Sequence, residues 1–149
     1  KRERIISSTF IRSLIEKGNI KTANKLLSRP WSIEGVVEKG RMLGRKIGFP
    51  TCNIDIKNYV IPKVGVYAVQ ILISKNKKIY KGIANIGYRP TFNQKKLLLE
   101  VNLFKFSGNL YNKKLTINFL KFIRGEKKFK NIIALKKQIQ KDVKVAKQV

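Results

Sequence analysis

LLLEVNLF, residues 97–104, decides the fold. Leu97, Leu99, Val101 and Leu103 fall at every second position, the period of a strand with one buried face. Leu98, Glu100 and Asn102 share the other face. The same period runs outward in both directions. WSIEGVVEKG (31–40) reads as a strand with Ile33 and either Val36 or Val37 inward. GVYAVQILI (65–73) and KIYKGIANIG (78–87) read as two more, joined by a polar turn at 74–77. In LTINFLKFI (115–123), Leu115, Ile117 and Phe119 share a face, and the pattern shifts phase at Leu120 and Phe122, which predicts a bulge or a strand end. Ser107-Gly108-Asn109 and Tyr111-Asn112 supply turn signals. Short strands with hairpin-length connections predict an antiparallel barrel or sandwich. A barrel fits better, because a lone sheet leaves unpaired edges.

Helices are expected at both ends. Residues 5–28 read as two short ones. Ser8 or Thr9 caps the first, and Gly18 with Asn19 ends it. Thr22 opens the second, with Ala23, Leu26 and Leu27 inward, and Arg29-Pro30 closes it, because the residue before proline avoids helix. Near the C-terminus, Ile132, Leu135, Ile139, Val143 and Ala146 form one helical stripe that should lie against the barrel.

Composition narrows the chemistry. The 149 residues are 43% hydrophobic and 28% charged, a folding composition with room for one core. Lysine plus arginine number 34 against 8 acids, a net charge of +26. That field attracts polyanions such as nucleic acid, anionic lipid or nucleotide phosphates, or it reflects a lysine-rich solvated surface. The lysines are scattered rather than interleaved with aromatics in one block, which argues against a nucleic-acid surface. The longest apolar run, VGVYAVQILI, is half the ~20 residues that a membrane span needs. A start without an apolar core segment reads as lacking a signal peptide, and one cysteine forms no internal disulfide; together these point to the cytoplasm. The absence of histidine excludes imidazole triads and metal sites of the Cys/His kind. A hard cation held by oxygen atoms stays open.

Three stretches carry candidate chemistry. In GRMLGRKIGFPTCN (40–53), glycines recur every fourth residue among Arg41, Arg45 and Lys46. Each glycine would cost a helix about 1 kcal/mol, so a loop is expected. Bare backbone there can approach phosphate oxygens, or the glycines can simply shape the loop. The stretch lacks a Walker A ending and the strand–helix setting of a dinucleotide fingerprint. Pro50 stiffens the chain before Thr51, and in an extended segment Asn53 points to the same side as Thr51. Glu100 is the second candidate. It is the only ionisable group in LLLEVNLF, either a proton acceptor on a stiff strand or an outward-facing glutamate on a half-exposed one. The remaining carboxylates, Asp142 among them, mostly sit on helices or near loops, where charge is cheap. The third is ISSTFIR (6–12), an anion cradle at a helix start or a plain cap.

In this order and spacing, GRMLGRKIGFPTCN, PKVGVYAV, GIANIGYRPTF, LEVNLF, NLYNKKL and FIRGEKKF resemble the riboflavin kinase family. More narrowly, they resemble the kinase half of bacterial bifunctional riboflavin kinase/FAD synthetases. The resemblance covers residues 29–149. ISSTFIR followed by ANKLLSRPWSIEG resembles the join to the adenylyltransferase half. It implies that residues 1–28 are the helical tail of that domain and that 29–149 form the kinase domain.

The implied fold is mainly β: a six-stranded antiparallel Greek-key barrel with a C-terminal helix and a short N-terminal helical segment. The implied reaction moves the γ-phosphoryl group of ATP to the 5′-hydroxyl of riboflavin, giving FMN and ADP, with Mg²⁺ as cofactor. By likeness, Thr51 and Asn53 hold the metal, while Gly44, Arg45, Gly48 and Pro50 join them around ATP. Glu100 is the catalytic base. Arg124 and Phe129 contact the flavin, with Arg124 on a mobile loop that closes over the ligands. Cys52 departs from the alanine usual in Pro-Thr-Ala-Asn, and it is small enough to fit. The adenylyltransferase chemistry resembles that of enzymes with a histidine signature, so FMN adenylyltransferase activity is not expected of a chain without histidine, although the full protein would make FAD. The partners implied are small-molecule substrates. The rival reading is a basic β-barrel that binds RNA or single-stranded DNA.

Overall fold

The computed structural model describes residues 7–38, 51–56, 60–74, 78–90 and 92–149. Six strands close into an antiparallel barrel: β1 (Trp31–Glu38), β2 (Cys52–Asp55), β3 (Gly65–Ile73), β4 (Ile79–Pro90), β5 (Lys95–Leu103) and β6 (Lys114–Arg124). Their spatial order is β1-β2-β5-β4-β3-β6. β3, β4 and β5 form a meander, and β6 returns to lie beside β3, the Greek-key arrangement. Each of the described strands thus has a neighbour on both sides.

The period-2 pattern becomes an inside and an outside. Leu99, Val101 and Leu103 enter the core with Ile33, Val37, Ile54, Tyr67, Ile117 and Phe119. Val36 is 46% exposed while Val37 is 4% exposed, so Val37 is the inward valine of β1. Each large apolar side chain buried in this way stabilises the fold by about 1.5–3 kcal/mol. The phase shift in β6 is a real irregularity. Val69 pairs Phe119 while Ala68 pairs Lys121, and Tyr67 pairs Phe122 while Val66 pairs Arg124. Leu120 and Ile123 are therefore the extra residues, and because the two shifts cancel in parity Arg124 keeps the outward direction of its partner Val66.

Among the described residues the helices are α1 (Ser8–Glu16), α2 (Ile20–Leu27) and α3 (Ile132–Lys147). Ser7 caps α1, not Ser8 or Thr9: its backbone is extended and its Oγ accepts from the Phe10 N–H at 3.1 Å. The plain-cap reading of ISSTFIR matches this bond. α2 starts at Ile20 rather than Thr22, because Gly18 at φ 80° turns the chain sharply enough for the next residues to wind at once. Ile15, Ile20 and Ala23 join the barrel's own core. Asn24 fixes α2 to the sheet, donating to the Phe119 carbonyl at 2.7 Å and accepting from the Trp31 N–H at 2.8 Å. No described helix is long and apolar enough to cross a membrane.

α3 lies across the outer wall of β3, β4 and β6. Two expectations about it fail. Ile132 is 62% exposed, because the first helical turn projects beyond the wall. Asp142, expected where charge is cheap, is only 2% exposed and faces the barrel one turn before buried Ala146.

Gly65 shows how closely β3 and β6 approach. Its φ is 150°, and a Cβ there would run into the carbonyl oxygen of Arg124. Gly65→Ala is expected to destabilise the fold by about 3 kcal/mol, since neither backbone can yield. Chemical denaturation checks this, and a wild-type midpoint would contradict it.

Candidate active site

Cross-strand register assembles one row of residues around the whole barrel. Glu38 pairs Asn53, Asn53 pairs Glu100, Glu100 pairs Asn85, Asn85 pairs Val66, and Val66 pairs Arg124. Neighbours in such a row point to the same face. Glu100 shares its outward parity with Asn102, while Leu99 and Val101 fill the interior. The alternation of β5 thus turns the acid toward the outer wall, where Asn53 and Asn85 flank it on either side.

Beyond this row, a cavity of about 320 Å³ lies between the wall and α3. Glu100, Asn85 and Asn102 form its sheet side, with Thr51 at the head of β2. Leu135 and Ile139 supply an apolar flank from α3. Arg124 at the end of β6, with Glu126, Lys127 and Phe129 on the segment after it, closes the cavity. An apolar flank with a few convergent polar groups suits an aromatic ligand bearing a polar tail.

Asn53 is 4% exposed, and among the described residues its buried Oδ1 has no hydrogen-bond partner. Leaving a buried acceptor unmet costs about 1–3 kcal/mol, so such an atom calls for a ligand. A neutral carbonyl oxygen is a donor suited to a hard cation. Among the described residues no group of three Asp, Glu, Cys or His side chains converges to hold a metal. One or two protein oxygens supplemented by substrate phosphates is the manner in which Mg²⁺ is commonly held. The residues present fit that arrangement.

Arg124 is the last residue of β6 rather than part of a loop, and it is firmly held. Its Nε donates to both carboxylate oxygens of Asp142 at 3.0 Å, its Nη2 lies 2.8 Å from Oδ2, and its Nη1 donates to the Gly125 carbonyl at 3.0 Å. The guanidinium sits 5.8 Å from the centroid of the Phe129 ring.

Four residues singled out from the sequence, Thr51, Glu100, Arg124 and Phe129, therefore line one cavity, and Asn53 stands beside Glu100 in register. Gly44, Arg45, Gly48 and Pro50 lie outside the described residues. Sequence reasoning missed Asn85, Asn102 and Asp142 as cavity residues. Asn102 carried a signal, since it shares Glu100's parity. Asp142 carried one too, the four-residue spacing to buried Ala146.

Cys52 packs partly against the core, opposite in parity to its neighbours Thr51 and Asn53. Burial pushes its thiol above the ordinary value of 9.0. Only a thiolate attacks, so alkylation by iodoacetamide at pH 7.5 is expected to run about 10-fold or more slower than that of glutathione. Labelling at the glutathione rate would contradict this.

The family model for riboflavin kinase, described as flavokinase, matches residues 27–149. The Haemophilus influenzae bifunctional riboflavin kinase/FMN adenylyltransferase is 46% identical over 142 residues, which cover 95% of this chain and 46% of that protein. The Bacillus subtilis protein of the same name is 44% identical over 141 residues, covering 92% of this chain and 44% of the relative. A crystal structure from Streptococcus pneumoniae, described as a macrolide-efflux protein, superposes with a TM-score of 0.90 at 35% identity, over 97% of this chain and 47% of that one. The chain thus spans about half the length of the relatives it matches.

Proposed function

The chain belongs to the riboflavin kinase family, and from that premise we propose that it transfers the γ-phosphoryl group of ATP to the 5′-hydroxyl of riboflavin, giving FMN and ADP. The observation that carries the reading is the lining of one cavity by Glu100, Thr51 and Arg124, with the unpartnered Asn53 Oδ1 in register beside the acid.

Glu100 accepts the proton of the riboflavin hydroxyl as its oxygen bonds to the γ-phosphorus, and the bond from that phosphorus to the β,γ-bridging oxygen breaks to release ADP. A positioned base contributes about 10²–10⁴-fold. Most of the remaining barrier is lowered by alignment and by charge neutralisation. Thr51 Oγ1 and Asn53 Oδ1 would hold Mg²⁺, which would supply charge neutralisation to the phosphates. Leu135, Ile139 and Phe129 give the flavin an apolar surface, and Arg124 with Lys127 adds positive charge near the transferred group. The glycine-bearing residues 40–48 take the nucleotide in this reading.

Residues 1–28 are read as the tail of a preceding adenylyltransferase part and 29–149 as the kinase domain. The longer protein then makes FAD as well, with its second chemistry outside this histidine-free stretch. Its substrates are those of cytoplasmic metabolism, where we place it. The efflux description of the Streptococcus pneumoniae structure is not carried over, because the cavity's groups suit phosphoryl transfer. A nucleic-acid role has less support, because the family model that matches residues 27–149 is that of riboflavin kinase.

Incubation with riboflavin, ATP and Mg²⁺ followed by chromatography tests the reading. FMN should appear only when all three are present. A folded protein that yields none would overturn it.

A further inference from the structure

We propose that Asp142 is a positioning residue for this reaction, the anchor that holds both cations of the cavity in place. The proposal rests on the kinase reading. Among the described residues, Arg124 and Lys127 are the two basic side chains that line the cavity. Asp142 grips the first directly, with Nε shared between its two oxygens at 3.0 Å and Nη2 at 2.8 Å. It reaches the second through Gln138, whose Nε2 donates to Asp142 Oδ1 at 3.0 Å while its Oε1 accepts from Lys127 Nζ at 3.4 Å. Gln138 and Asp142 are one helical turn apart on α3, so a single rigid element sets both contacts.

The arrangement does more than fill space. An arginine stem has several rotamers, and a guanidinium bound side-on through Nε and Nη2 keeps only one of them. With Nη1 tied to the Gly125 carbonyl, the terminal nitrogens each retain an N–H that no described residue takes up. Those N–H groups are what a phosphate oxygen needs. Asp142 borders the cavity at only 2% exposure, and both its carboxylate oxygens are taken by Arg124, so it acts through Arg124. Phe129, near the guanidinium at 5.8 Å, and Lys127 lie on the segment after β6, so the same anchor sets where that segment crosses the cavity mouth. Charge placed in advance favours the transition state over the bound substrate. The effect should therefore fall on kcat and spare KM.

The test measures FMN formation by wild type, Asp142→Asn, Arg124→Ala and the double variant, with thermal melts of each. Asp142→Asn keeps the shape and removes the charge. It is expected to lower kcat about 10- to 100-fold while KM for ATP stays within about 3-fold. In the Arg124→Ala background the same change should alter kcat by less than about 2-fold, because a residue acting through Arg124 has nothing left to position. Gln138→Ala, which leaves the ion pair intact, should lower kcat by about 3-fold or more at unchanged KM, and it carries the test if Asp142→Asn does not fold. An unchanged kcat in the folded variants, or a loss that multiplies in full on Arg124→Ala, overturns the proposal. Absence of FMN from wild type would instead sink the kinase reading, and the proposal with it.

Discussion

Glu100→Gln is expected to lower kcat for FMN formation by about 10²–10⁴-fold, the range for removing a positioned general base. That loss corresponds to about 3–5 kcal/mol of transition-state stabilisation. The amide keeps the size and outward placement of the side chain but cannot accept the hydroxyl proton. KM for ATP should change little, because Glu100 acts on the acceptor hydroxyl. The fold should not suffer, since Glu100 stands on the outer wall of β5 while Leu99 and Val101 carry the packing. Steady-state kinetics with a thermal melt checks both halves. A variant that retains more than about a tenth of wild-type kcat would remove Glu100 from the base's role.

Asn53→Leu is expected to separate stability from function. The buried Oδ1 atom has no partner among the described residues, so the wild type carries an unmet acceptor there. An apolar side chain of similar shape removes that penalty, and stability should hold or rise by about 1 kcal/mol. Turnover should fall by about 10² or more, the scale for deleting one preorganised charge-stabilising group. Raising the Mg²⁺ concentration should not restore it, because the donor itself is gone. Trading stability for a functional polar group is common at active sites. An Asn53→Leu protein that is both less stable and fully active would mean that the oxygen serves the fold.

Much of this site was legible because strands convert sequence parity into direction. Once Leu99, Val101 and Leu103 are buried, Glu100 has to face outward, and the same rule sets Thr51 and Asn53 on one side of β2. The shift at Leu120 was readable as a broken alternation. Other features depend on partners far apart in the chain. Nothing local to Asn53 says that its neighbours in register are Glu38 and Glu100, since that follows from barrel closure. Asp142 looked inexpensive on a lysine-rich helix, and its burial makes sense only when Arg124, at the outward-facing end of β6, arrives opposite it. The cap moved to Ser7 because adjacent serines compete on backbone angles that residue types do not encode. The motif resemblance suggested roles for Thr51, Asn53 and Glu100 that parity alone leaves open, but it carried no hint of the anchor on α3.

The central claim is that riboflavin and ATP meet on the outer wall of the barrel, in the cavity under α3. Backbone amide shifts in an NMR titration with FMN, ADP and Mg²⁺ test it most directly. The largest changes are expected at Thr51, Asn85, Glu100, Arg124 and the residues that follow β6. Changes gathered instead on the wall of β1 and β6, around Glu34 and Thr116, with the cavity residues unmoved, would contradict it.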